Sequence, residues 1–162
     1  MKRIGLGGLL MVAALSIPAR AEPTASDTAR AWLRSLRTGK SAAIAESMSL
    51  PFTYREAWPK KQCDRLVIDQ KSLAEWVGCI RKKEDLLLGE LKWEKENLTL
   101  ESGQGKSPQK LRALTKDLGP GEWVHGWING DGVTYEFLLL VDRTSGKPRV
   151  SACIIDASFD EG

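Results

Sequence analysis

Apolar residues recur at helical spacing in the first half of this chain and alternate at strand spacing in the second. Ala29, Trp32, Leu33 and Leu36 stand three and four residues apart on one stripe. That spacing predicts an amphipathic helix to about Arg37, capped by Ser26 or Asp27 and stopped at Gly39. A second, shorter helix is expected from Ser41, turning Ala43, Ile44 and Met48 inward, so the two make a helical hairpin. Residues 50–54 read as a short strand in which Pro51, having no ladder donor, belongs at the start or on an edge. Residues 58–65 read as a polar loop. Ser72 with Glu75 has the form of a capping box, opening a helix with Leu73, Trp76, Val77 and Ile80 on one face. The helical pattern fades over 84–90, and Leu86, Leu87 and Leu91 extend it only past a bend.

From Trp93 onward the period is two. A first strand is expected over 93–100, followed by a flexible turn at 103–107. Ser107-Pro108 then reads as a cap and first-turn proline for a small helix over 108–116, ended by Pro120-Gly121. Strands at 122–129, 133–141 and 149–157 follow, joined by turns at 129–132 and 144–147 as an antiparallel meander. No internal repeat and no linker divides the sequence.

The first 21 residues have a different pattern. Lys2 and Arg3 precede an uncharged apolar run over 4–17, then Pro18 and Ala19-Arg20-Ala21. This is the layout of a secretory signal peptide cut after Ala21. Its apolar run is shorter than the roughly 20 residues a spanning helix needs, and no cysteine follows to take a lipid. The expectation is a leader at 1–21, one domain at 22–162, and an exported product, periplasmic or secreted, with no membrane anchor after cleavage. The leader carries Lys2, Arg3 and Arg20, which account for the formal charge of +3. A mature chain would be close to neutral, so nothing drives binding to nucleic acid. Six tryptophans among many Leu, Val and Ile residues are enough for a core and argue against disorder.

Three cysteines in an oxidising compartment permit three pairings. Cys63 with Cys79 is the expected disulfide, closing a short loop worth about 3 kcal/mol. Cys153, in an apolar strand, is expected as a buried thiol. With one histidine and no matching spacing, no metal site is predicted. Gly119-Pro120-Gly121 and Gly130-Asp131-Gly132 suit turns better than phosphate loops, Ser151 lies in no GxSxG, and no cofactor is predicted.

The order of these elements (two helices, a short strand, a third helix, then a long-stranded meander) resembles the NTF2-like superfamily of cystatin-like α+β proteins. The resemblance is carried by Trp32-Leu33 in the opening helix, by Leu50-Pro51-Phe52, and by the hairpin from Tyr135 to Val141 into Val150 to Ile155. It implies an α+β fold in which a curved antiparallel sheet packs on the N-terminal helices and leaves a conical cavity. It also implies a range of uses, from ketosteroid-isomerase-like enzymes, cyclases and dehydratases to non-catalytic binding modules. No catalytic motif of the family aligns here, so no residue role is carried over.

The chemistry-bearing residues are few. His125 alternates with Trp123 and Trp127 on one face of its strand, opposite Val124, Gly126 and Ile128. With Tyr54, these three are the candidate ligand-binding set. His125 and Glu136 are weak catalytic candidates, one titrating near neutrality and one set among Leu138 and Leu140, where burial would raise its pKa. The plainer readings are a cross-strand histidine, a strand-end ion pair for Glu136, a core Tyr135, and an Asp156 facing solvent at the end of its strand. The leading expectation is an exported module that binds a small apolar ligand or a protein without catalysis. An isomerase or dehydratase with an acid/base in the cone, and a structural module that forms homodimers through its sheet, are the alternatives.

Overall fold

A computed structural model describes residues 21–58, 62–82, 98–130 and 133–159. Helix α1 (Ala25–Thr38) is capped by Thr24, two to three residues before the expected caps. The Thr24 hydroxyl accepts from the Asp27 amide at 3.1 Å, and the Asp27 carboxylate accepts from the Thr24 amide at 3.1 Å. This is a reciprocal box with Asp in the place of the usual Glu, and its hydrogen bonds hold the Asp27 carboxyl below the ordinary aspartate range. Gly39 ends the helix as expected, at φ +62° with its amide on the Leu36 and Ser35 carbonyls. Helix α2 (Ser41–Ser47) buries Ile44 and runs directly into strand β1 (Met48–Glu56).

Strand β2 (Arg65–Val67) begins at the last residue of the expected polar loop, over residues the pattern left unassigned, and helix α3 (Gln70–Lys82) follows it. The predicted Ser72/Glu75 box is absent. Asp69 Oδ1 instead accepts the Ser72 amide at 2.8 Å, and Ser72 Oγ accepts the Ile68 and Asp69 amides at 3.0 Å. Glu75 pairs with Arg65 at 2.8 Å. Leu73, Trp76, Val77 and Ile80 are buried as their spacing predicts. The expected Cys63–Cys79 disulfide is present, fixing the loop before β2 to the far half of α3. Leu86, Leu87, Leu91 and the expected strand start at Trp93 lie outside the described residues.

Strand β3 (Leu98–Ser102) leads through a turn to helix α4 (Gln109–Ala113), shorter than its 108–116 prediction. Ser107 does not cap it; its hydroxyl donates to the Gln104 carbonyl at 2.7 Å. Strands β4 (Glu122–Gly130), β5 (Val133–Asp142) and β6 (Arg149–Phe159) form the meander the alternation predicts. The six strands lie in the order β2-β1-β6-β5-β4-β3. All neighbours are antiparallel except β1 and β6, which run parallel. Pro51 falls in the gap of both β1 ladders: pairing to β2 starts at Phe52, and pairing to β6 skips from Met48 to Thr53. A missing amide donor costs nothing there.

The α+β class, and a curved open sheet packed on N-terminal helices, are therefore as the sequence implies. Residues from α1, α2 and α3 meet one face of the sheet, where Phe52, Tyr54, Val124, Ile128, Phe137, Leu139, Cys153 and Ile155 are buried. The other face is crossed by α4, and Leu111 there buries Leu138 and Ile154.

Candidate ligand site on the helix-covered face

Four aromatic side chains meet at the middle of the main core. Trp32 comes from α1, Trp76 from α3, and Phe52 and Tyr54 from alternate positions of β1; none is exposed. Ring centroids lie 5.7 Å apart for Trp32–Phe52, 5.2 Å for Phe52–Trp76, 5.4 Å for Tyr54–Trp76 and 6.4 Å for the stacked Trp32–Trp76 pair. These are attractive aromatic spacings. Their polar atoms are another matter. Trp32 Nε1, Trp76 Nε1 and the Tyr54 hydroxyl are buried without a hydrogen-bond partner. Each orphaned group costs about 1–3 kcal/mol. An indole N–H only donates. Burial, and then the nearby Cys153, Glu56 and Asp64, raise the Tyr54 phenol well above its usual value, so it stays a neutral donor. The helical stripe marked both tryptophans as core; the sequence offers no sign that their N–H groups lack partners.

Glu56, at the end of β1, is the carboxylate buried on this face among the described residues. Its oxygens accept the Gln62 amide at 2.7 Å and the Cys63 amide at 3.2 Å. The carboxylate thus organises the disulfide loop.

The predicted ligand set is divided between the faces. Tyr54 belongs to the aromatic cluster, whereas Trp123, His125 and Trp127 point to the opposite face, with Leu138, Leu140 and Ile154. His125 is only 4% exposed, its ring 5.2 Å from Trp127, and neither ring nitrogen has a hydrogen-bond partner. Glu136 Oε1 lies 3.8 Å from His125 Nε2, beyond hydrogen-bond range. Burial lowers the His125 pKa, opposed by Glu136 and Glu101, so the ring is neutral at pH 7. Asp156, expected in solvent, is 3% exposed because β6 continues past it, and it pairs with Lys110 of α4. Arg55 donates to the Leu114 carbonyl at 2.5 Å and the Lys116 carbonyl at 3.0 Å, holding the segment after α4 to the same face. Tyr135 is 7% exposed and Cys153 is buried, its thiol pushed up by desolvation, both as expected.

Among the described residues no His, Cys, Asp and Glu grouping suits a metal ion, and no helix is long and apolar enough to cross a membrane.

Helices first, one mixed open sheet with β1 parallel to β6, and an aromatic core between them make this an α+β domain. The solved structures it is similar to include NTF2-like proteins. An NTF2-like protein of unknown function from Methylobacillus flagellatus aligns with TM-score 0.45 and 10% identity over 83% of this chain and 89% of that one. A ketosteroid isomerase-like protein from Erwinia carotovora atroseptica aligns with TM-score 0.47 and 11% identity, over 82% and 92%. An NTF2-like protein of unknown function from Cytophaga hutchinsonii aligns with TM-score 0.42 and 12% identity, over 88% and 95%. No protein-family model matches the sequence, and no curated protein matches it.

Proposed function

We propose that this is an exported, non-catalytic binding module. Its ligand is a small apolar molecule with a hydrogen-bond acceptor, held among Trp32, Tyr54, Phe52 and Trp76. The observation that carries this reading is the donor set: three buried N–H and O–H groups with no acceptor, in one aromatic cluster. A carbonyl or carboxylate would satisfy donors of this kind, and the rings would bury its hydrocarbon body. Catalysis by proton abstraction has less support. Glu56 is engaged by two amides, and His125 and Glu136 stand across the sheet from the cluster. Export is supported by the leader pattern of residues 1–21, and the Cys63–Cys79 disulfide fits an oxidising compartment.

The test compares 2-acetylnaphthalene with 2-ethylnaphthalene, of similar shape but without the acceptor. Tryptophan fluorescence titration and native mass spectrometry report binding. The ketone should bind about tenfold tighter, the worth of one net hydrogen bond. Trp76→Phe and Tyr54→Phe should remove that preference while leaving hydrocarbon binding in place. Equal affinity for both probes, or no retention of either, would sink the reading.

A further inference from the structure

Strand β2 forms one end of the sheet and pairs on one side only, with β1. The large hydrophobic side chains left exposed among the described residues are Leu50, Leu66 and Ile68, at 46%, 57% and 60%. All three lie at this edge. Leu66 is opposite Thr53, and the antiparallel register places Ile68 near Pro51 and Leu50. Edge strands are normally guarded by charge, proline or a covering element, because an open edge templates pairing with another chain. Here the side chains on the sheet's α4 side are Leu66 and Ile68.

The order of charges along the edge identifies what fits it. From 65 to 69 the chain reads Arg-Leu-Val-Ile-Asp. Laid antiparallel against a second copy about a two-fold axis through Val67, Arg65 faces the other Asp69, Leu66 faces Ile68, and Val67 faces itself. The segment is complementary to its own reverse, as an isologous contact requires. Alternation puts both apolar pairs on one face and both charge pairs on the other. Hydrogen bonds from Ser72 hold the Asp69 carboxyl below the ordinary aspartate range, so it is charged at neutral pH. Arg65 has five N–H donors, of which Nη1 is bonded to Glu75. It can serve Glu75 and a second carboxylate together.

We propose that the β2 edge joins two copies of this chain into an antiparallel, two-fold dimer with one sheet running through both. This surface is separate from the aromatic cluster, and the proposal does not depend on a ligand.

Light scattering coupled to size-exclusion chromatography, over a concentration series of the full chain, tests it. The parent should form a concentration-dependent dimer. Leu66→Glu/Ile68→Glu and Leu66→Lys/Ile68→Lys change only exposed side chains, so both should keep the parent's circular dichroism and melting temperature. Each brings like charges face to face and should raise the dimer dissociation constant roughly 100-fold or more. Mixed one to one, the acidic and basic variants should form heterodimers, since position 66 of one then faces the opposite charge at 68 of the other. A monomeric parent, variants that dimerise as the parent does, or a mixture that stays monomeric would each overturn the proposal.

Discussion

Replacing Gly126 by alanine probes the packing at the centre of the helix-covered face. A methyl group there would lie 2.4 Å from Phe137 Cε2 and Cζ and 2.7 Å from Leu100 Cδ2. Carbon atoms pack at about 3.5–4.0 Å, so the Phe137 ring would have to move by about 1 Å within a fully buried layer. Overpacking of this kind costs about 1–3 kcal/mol. The loss of unfolded-state freedom returns about 0.4–1 kcal/mol, leaving a net destabilisation of about 1–2 kcal/mol. Gly78 in α3 is the internal control, because a Cβ there meets nothing within 4 Å. The same substitution should stabilise that helix by about 0.5–1 kcal/mol. Urea unfolding followed by tryptophan fluorescence measures both, with an unchanged slope as the check that only stability has moved. Phe137→Leu in the Gly126→Ala background should recover part of the loss, since it removes the atoms the methyl strikes. A Gly126→Ala protein as stable as its parent would refute this account of the sheet's interior.

Two further perturbations have defined signs. Replacing Cys63 and Cys79 by serine removes a cross-link spanning 16 positions, which should cost about 3 kcal/mol in urea unfolding; a loss below about 1 kcal/mol would show the loop to be fixed by its amide bonds to Glu56 alone. His125 is held neutral by burial, with a pKa below its ordinary 6.5. The unfolded chain takes up that proton near pH 6.5 and the folded chain only at lower pH, so stability should be full above this value and fall as pH drops below it. His125→Gln should flatten the pH profile of the urea midpoint between about 6.5 and 5, and a variant with the parent's profile would place the acid sensitivity elsewhere.

Local patterns foretold the local structure. The Trp32 and Trp76 stripes, the Gly39 stop, the disulfide and the three-stranded meander all depend on neighbours close in sequence. What escaped depends on short or distant partners. Strand β2 has three residues, too few for alternation to register, and it is held by its ladder to β1. The parallel β1–β6 pair joins segments about a hundred residues apart with no turn between them. Both helix caps lie upstream of their expected places and use atypical pairs, Thr24 with Asp27 and Asp69 with Ser72.

The assignment of faces matters most for function, and alternation alone leaves it open. It shows that His125, Trp123 and Trp127 share a side and that Val124, Gly126 and Ile128 share the other. Neither side of β4 and β5 is polar enough to mark it as solvent, because α4 covers Leu138 and Ile154 on one face while the main helices cover Phe137 and Leu139 on the other. Size decides between them. Trp32 and Trp76 are large knobs, and the face that receives them carries Phe52, Tyr54 and Phe137, with Gly126 leaving room for the Phe137 ring. A glycine in mid-strand, on the side away from the histidine, was therefore the residue that marked the helix-covered face. Seen this way, His125 and Glu136 could not have reached the interior without a one-residue slip of β4 and β5, which would drive Phe137 and Leu139 out of the core. The same packing keeps His125 and Glu136 on the side of the sheet away from the three aromatic donors that lack acceptors.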